Sequence, residues 1–362
     1  MSLFLIQEDH MNLLNQIMSK KAKSFALFLT VLFAKSMYAN DSSFGGSGAL
    51  PIPISQPDIK MVKEVIIITG KNLNNSEWDG SWHFSCDFQF KNTLNKALKV
   101  SMGFPFPINN GMSEIALPQG QKTSEGKALV YDFQVRVNDT PVSSHREKIA
   151  PNEEKNLNYE DAYLWDTTFP SLATVNIHHD YVTGATYDVM GYHWVSYVLK
   201  TGALWHENTI GHTQLEVIPN TPTRLCSEIN PKEEYLQPTP AGIKIVGDGK
   251  NRKYVWDLAH FQPKSDLLLC LYTPISYVRH TMIYPALNSE HPAHALAKLS
   301  TKELQILRNT IYAQYGRQFN SPDLQSYFKK QWWYEPNPDY SDSQLTEEDK
   351  KLLSLINQVH KA

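Results

Sequence analysis

The chain has 362 residues, of which 41% are hydrophobic and 20% charged, with 17 glycines and 21 prolines. These proportions exclude a disordered chain, a collagen-like repeat and a protein that threads a membrane many times. The net charge of −3, from 34 basic and 37 acidic residues, supplies no positive field to draw the chain to nucleic acid.

Lys20, Lys21 and Lys23 precede the apolar run Phe25–Ala34, which leads through Ser36-Met37-Tyr38-Ala39 to the polar Asn40-Asp41-Ser42-Ser43. A positive end, a short apolar stretch and a small residue before a polar start form the pattern of a secretory signal, with cleavage expected after Ala39. The ten apolar residues are half the roughly twenty that a spanning helix needs, so no stable membrane span is expected after processing. Glu8 and Asp9 do not fit a signal n-region, and Met11 and Met18 are alternative starts. No cysteine precedes Cys86 to carry a lipid anchor. The mature chain is therefore expected in the periplasm or outside the cell.

From Asn40 to about Tyr284 the chain reads as short alternating or β-branched runs broken by Gly, Pro and Asn. Strands are predicted at Val62–Thr69, Trp82–Phe90, Leu98–Phe104, Ala128–Val137, Ala173–Val182, Trp194–Lys200, His212–Ile218, Ile243–Val246, Tyr254–Phe261 and Leu267–Tyr272. With no helical periodicity between them, they predict a mainly β body of antiparallel sandwiches rather than a doubly wound sheet. The body is large for one sandwich, and two packed β-domains are expected to divide near the polar stretch Pro141–Asn158. Phe104-Pro105-Phe106-Pro107 reads as a strand end or corner, because its prolines bring no N–H to a ladder. No P-loop, GxGxxG or GxSxG motif occurs, so nucleotide binding and α/β-hydrolase chemistry find no support and no cofactor is expected.

Cys86 lies in a row with Trp82, Phe84, Phe88 and Phe90 on one strand face and reads as a buried thiol. Cys226 and Cys270 are the candidate disulfide for an oxidising compartment, a pairing that spacing alone leaves open. Thirteen histidines raise the question of a metal. His178, Asp180, His193 and His206 are the candidate ligands, with Glu207 beside the last. His178 and His179 project to opposite faces of a strand, whereas His178 and Asp180 share one. No HExxH motif or close Cys/His pair occurs, and half-buried polar residues on sheet faces are the preferred reading of the same positions.

The texture changes after Tyr284, and residues 286–298 read as a linker. Ser300-Thr301-Lys302-Glu303 is a capping box, in which hydroxyl and carboxylate each satisfy a backbone N–H of the other. Leu304, Leu307, Ile311 and Tyr315 repeat at helical spacing, and Gly316 supplies a left-handed stop. A second helix begins at Ser321-Pro322 and is expected to bury Leu324, Tyr327 and Phe328. Thr346 caps a third through Glu347, Glu348 and Asp349, with Leu352, Leu353, Ile356 and Val359 apolar. A small three-helix module over residues 299–362 closes the chain.

The run Leu307-Arg308-Asn309-Thr310-Ile311-Tyr312-Ala313-Gln314-Tyr315-Gly316-Arg317-Gln318-Phe319 resembles the signature of the bacterial YARHG domain. Leu324, Tyr327-Phe328, Trp333-Tyr334 and Pro336-Asn337 continue the likeness. Gln314 stands where the motif has Arg, and Tyr315 where it has His. The body, residues 40–285, resembles a bacterial domain-of-unknown-function family, number 4424. That likeness rests on Asn40-Asp41-Ser42, Phe104-Pro105-Phe106-Pro107, Trp165, Phe169-Pro170, His179-Asp180-Tyr181, the segment Tyr197–Trp205, Phe261 and Asp266-Leu267. Both resemblances imply export and this architecture, and neither brings an activity or a catalytic residue.

The preferred function is an exported, non-catalytic envelope protein that binds wall polymer such as peptidoglycan, or another envelope protein. Trp332, Trp333, Tyr334 and Tyr340 are the candidate stacking platform for sugar rings. Core packing competes for the same rings, since a very small domain needs large aromatics. The alternative is a metal-assisted hydrolase of envelope polymers built on the histidine set.

Overall fold

The computed structural model describes residues 42–45, 52–74, 80–106, 114–118, 129–151, 154 and 159–361; the expected signal segment and Pro107 lie outside them. The trunk is mainly β. Strands β3 (Ile59–Lys71), β4 (Ser81–Asn92), β7 (Val130–Val137), β8 (Thr140–Val142), β11 (Thr174–Gly184), β14 (Ile210–Ile218), β16 (Lys244–Val246) and β17 (Lys253–Phe261) form one sheet. Their order is β16-β17-β14-β3-β4-β11-β7-β8. A five-stranded sheet holds β1 (Ser42–Gly45), β2 (Ile52–Ile54), β5 (Leu98–Phe106), β9 (His145–Lys148) and β10 (Asp161–Phe169), in the order β2-β1-β5-β10-β9. Another holds β6 (Glu114–Ile115), β12 (Thr186–Tyr187), β13 (His193–Tyr197), β15 (Arg224–Leu225) and β18 (Leu267–Tyr272), in the order β15-β18-β13-β12-β6. Named strands pair antiparallel except β14 with β3, whose long intervening chain permits a parallel crossover.

Alternation decides which face of each strand is inside. On β4, Trp82, Phe84, Cys86, Phe88 and Phe90 are buried while His83 and Asp87 face solvent. The ring of Phe104 on β5 lies 5.0 Å from Phe133 on β7 and 4.8 Å from Tyr181 on β11, packing one small sheet over the large one. Tyr197 on β13 reaches Phe84 on β4 at 6.2 Å and brings in the other. One buried cluster runs from Phe44 to Leu271 through all three sheets.

That continuity corrects the expected division into two sandwiches near Pro141–Asn158. Strand β9 lies inside this stretch and pairs with β10, and Arg146 Nε donates to the buried Asp161 Oδ1 at 2.7 Å. The stretch is polar because it carries an edge strand, where charged side chains discourage further pairing.

The C-terminal part is helical. After α1 (Cys226–Ile229) come α2 (Pro274–Val278), α3 (Tyr284–Leu287), α4 (Pro292–Leu296), α5 (Thr301–Ala313), α6 (Pro322–Phe328) and α7 (Glu347–Lys361). The expected capping box forms: Ser300 N donates to Glu303 Oε2 at 2.6 Å, and Glu303 N to Ser300 Oγ at 3.3 Å. Gly316 has φ +84°, as the stop requires. The segment expected as a linker is instead structural, since Ala286, Leu287 and Leu296 join the same core as Leu304, Ile311, Phe328 and Trp333. Tyr327, expected inside, keeps 36% of its surface exposed; Phe328 is the residue that helix α6 buries.

Candidate binding site

The module docks on the trunk through aromatic and polar contacts. Trp332 meets Tyr277 of α2 at 5.1 Å between ring centroids, and the Arg224 guanidinium of β15 lies 6.0 Å from its ring. Behind this contact, Tyr192, Tyr272 and Leu236 pack around a disulfide joining Cys226 to Cys270. Lys250 Nζ lies 3.5 Å from Glu335 Oε1 across the seam, and on the trunk side Ile275 N donates to Asn74 Oδ1 at 2.9 Å.

A cleft of about 380 Å³ lies along the same seam. Asn74, Pro222, Lys250, Pro274 and Ile275 form one wall. Gln314, Tyr315, Trp333, Glu335 and the turn at Pro336–Pro338 form the other.

Beside this wall is a buried polar hub. Asp349 is fully buried at the start of α7. Its Oδ1 accepts from Gln314 Nε2 at 3.0 Å. Its Oδ2 accepts from Tyr315 Oη at 2.5 Å, Thr346 N at 2.9 Å and Thr346 Oγ1 at 3.1 Å. Arg279 Nη2 in turn donates to Tyr315 Oη at 2.8 Å. A buried carboxylate is tolerable only when its lone pairs are met in this way. Burial pushes the Tyr315 phenol above its ordinary range, so it acts as a fixed donor. Gln314 is 2% exposed, and its Oε1 accepts no hydrogen bond among the described residues. With the carboxylate so engaged, the chemistry this cleft offers is hydrogen bonding and ion pairing.

The aromatic residues singled out by sequence have separate duties. Trp332 serves the docking contact. Trp333 is 2% exposed and packs on Phe328 at 5.9 Å. Tyr334 also lies against Phe328, at 5.6 Å, and its Oη donates to Arg317 O at 2.9 Å. Tyr340 donates to Asp342 Oδ1 at 2.6 Å, with the Arg317 guanidinium 5.9 Å from its ring.

The histidine set is dispersed. His178 Nδ1 lies 2.7 Å from Asp87 Oδ1 and its Nε2 2.5 Å from Asp180 Oδ2 on the outer face of the large sheet. Asp180 is shared with His83 at 3.1 Å and Arg136 at 3.5 Å. His193 is buried on β13, with Nε2 3.2 Å from Thr273 Oγ1. His206 sits in the short turn His206–Asn208, its Nδ1 2.5 Å from Pro57 O and its Nε2 3.7 Å from Glu207 Oε1. Only His178 and Asp180 come together, as period two dictates. Among the described residues no group of three or more His, Cys, Asp or Glu is arranged to hold a metal. The four-ligand site therefore does not form among the described residues.

Sequence reasoning missed Arg279, Lys250 and Asn74, which carry no motif. Asp349 did leave a signal, as the acidic partner of the Thr346 box, but its burial was hidden.

A profile described as the YARHG domain matches residues 280–361, and one described as a domain of unknown function (DUF4424) matches residues 39–157. The crystal structure of a candidate nutrient-binding protein from Legionella pneumophila subsp. pneumophila str. Philadelphia 1 is 69% identical, with a TM-score of 0.82 over 88% of this chain and all of that one. The chain belongs to this DUF4424 family and ends in a YARHG domain. An M1 zinc metallopeptidase from Deinococcus radiodurans, at 6% identity and a TM-score of 0.30 over 61% of this chain and 44% of that one, supports no inference. No match was found among curated proteins. Within the YARHG domain, Gln314 and Tyr315 replace the basic pair of the motif, and Arg279 brings a cation to the hub from outside that run.

Proposed function

We propose that this DUF4424–YARHG chain is an exported, non-catalytic binding protein of the bacterial envelope that takes a small polar ligand in the cleft between trunk and module. The observation that carries this reading is the cleft itself, lined by hydrogen-bonding side chains from two bodies of one chain. Small-molecule sites favour such junctions. The description of the Legionella relative supports binding over catalysis. The Cys226–Cys270 disulfide supports an oxidising compartment. Among the described residues, no helix is long and apolar enough to cross a membrane.

The test is native mass spectrometry of the full chain purified from the envelope fraction, before and after unfolding. A small molecule released on unfolding, and lost when the cleft is filled by Gln344→Trp, is expected. Capture of wall polymer or an envelope protein through the partly exposed Tyr334 and Tyr340 is a second reading, read by pull-down on peptidoglycan. Retention there that Gln344→Trp leaves intact, with no released ligand, would replace the cleft reading with this one. Recovery of the chain only from the cytosol would overturn export.

A further inference from the structure

We infer that the cleft takes a ligand bearing a primary ammonium group, with Gln314 Oε1 among its acceptors; this deepens the binding function proposed above and rests on it. Several donors on the walls are already engaged within the protein. Pro222, Pro274, Pro336 and Pro338 line the cleft and bring no N–H of their own. Tyr315 Oη donates to Asp349, Ile275 N to Asn74, and Asn337 N to Gly316 O at 2.8 Å. The Lys250 ammonium faces Glu335 at 3.5 Å. The acceptor left unmet on these walls, Gln314 Oε1, suits a ligand that brings its own proton.

Gln314 carries the unmet acceptor. Its Nε2 donates to two acceptors, Asp349 Oδ1 and Ile311 O, both at 3.0 Å, which fixes the orientation of the amide. Donation toward an ionised carboxylate polarises the amide and makes the carbonyl end a stronger acceptor. That end is buried without a donor among the described residues, in a residue on the cleft wall. A buried acceptor left unmet is costly, and native structures meet such atoms with a ligand or an ordered water. An ammonium offers three donors on one small centre, one of which can meet Gln314 Oε1.

A free amino acid and an aliphatic diamine both present this group. They differ in the carboxylate, for which Lys250 is the partner on the wall. Calorimetric titration of the full chain with L-alanine, 1,4-diaminobutane, N-acetyl-L-alanine and glucose separates them. Saturable binding of alanine or the diamine is expected, with neither acetylalanine nor glucose binding. Gln314→Met is expected to weaken the amine about tenfold or more. Lys250→Ala is expected to weaken alanine and spare the diamine if the amino acid is the natural class. Because Gln314→Met also disturbs the hub, a crystal of the unaltered protein soaked in diamine supplies an independent reading, with nitrogen expected within hydrogen-bond reach of Oε1. Glucose or acetylalanine binding as well as the amines would overturn the ammonium inference and leave the binding function standing. Water alone on Oε1 after the soak, with no amine titration, would also overturn it. Absence of any released ligand in the native mass spectrum would instead strike the proposed function.

Discussion

Gln314 and Asp349 stand 35 residues apart in the chain, and Gln314 Nε2 donates to Asp349 Oδ1 at 3.0 Å in the buried seam between the end of α5 and the start of α7. The same carboxylate accepts from Tyr315 and closes the box with Thr346, so one group ties two helix ends that face each other with opposite dipoles. The YARHG domain is small, and its core of Phe328, Trp333, Leu352 and Ile356 lies beside this tie.

Asp349→Ala is therefore expected to cost the module at least about 3 kcal/mol, since it strands several buried donors at about 1–3 kcal/mol each. Urea unfolding followed by tryptophan fluorescence reads this, with Trp332 at the docking contact and Trp333 in the core. A midpoint equal to that of the unaltered protein would mean that the hub contributes nothing to stability.

Acid is expected to weaken the trunk and its seam through two histidines. Burial pushes His179 and His193 down from the ordinary 6.5 to about 3, so both rings are neutral in the folded chain. The unfolded chain takes up these protons near pH 6.5 and the folded chain only near pH 3. Between those values the unfolded state binds more protons, so the stabilisation is complete above the window and is lost as pH falls through it. Urea midpoints at pH 7 and pH 4 should differ strongly. His179 is ringed by Phe88, Phe104, Phe133 and Trp165 at 5.2 to 5.6 Å, so His179→Phe should make the decline with acid shallower.

The disulfide closes a span of 44 residues, for which chain entropy predicts about 4 kcal/mol of stabilisation. Replacing both Cys226 and Cys270 by alanine, or adding reductant, should lower the thermal midpoint. Tyr192 and Tyr272 pack on the bridge and Trp332 packs on that cluster, so the module should loosen from the trunk as the bridge opens. Insensitivity of the melt to reductant would count against a stabilising role.

Ten strands were legible in the sequence, most plainly where one face stays apolar, as on β4 from Trp82 to Phe90. Strand β10 was not, since Asp161, Ala162, Leu164 and Trp165 are all buried and the period of two disappears. The run predicted to continue to Lys200 stops at Tyr197, because Asp266 Oδ1 accepts the N–H groups of Leu199 and Lys200 and turns the chain there. Module helices announced themselves by caps and by Gly316. The cleft did not, because its walls come from residues as distant as Asn74 and Asn337, and no local pattern encodes their meeting.

Gly316 links the module fold to the cleft. Its φ is +84°, and a Cβ there would come within 2.5 Å of Asn337 Cβ and 2.6 Å of Glu335 O. Both contacts belong to the outer cleft wall, which the Asn337 N to Gly316 O bond of 2.8 Å holds in place. Gly316→Ala should thus cost at least about 2 kcal/mol, from left-handed strain and from the displaced wall. Gly249→Ala is the matched control: φ is +51° and nothing lies within 4 Å of its added methyl, so only the backbone term of about 1 kcal/mol applies. Ligand release measured on the two variants should then divide, with Gly249→Ala retaining what Gly316→Ala loses. Equal retention by both would place the ligand away from the wall that Asn337 closes.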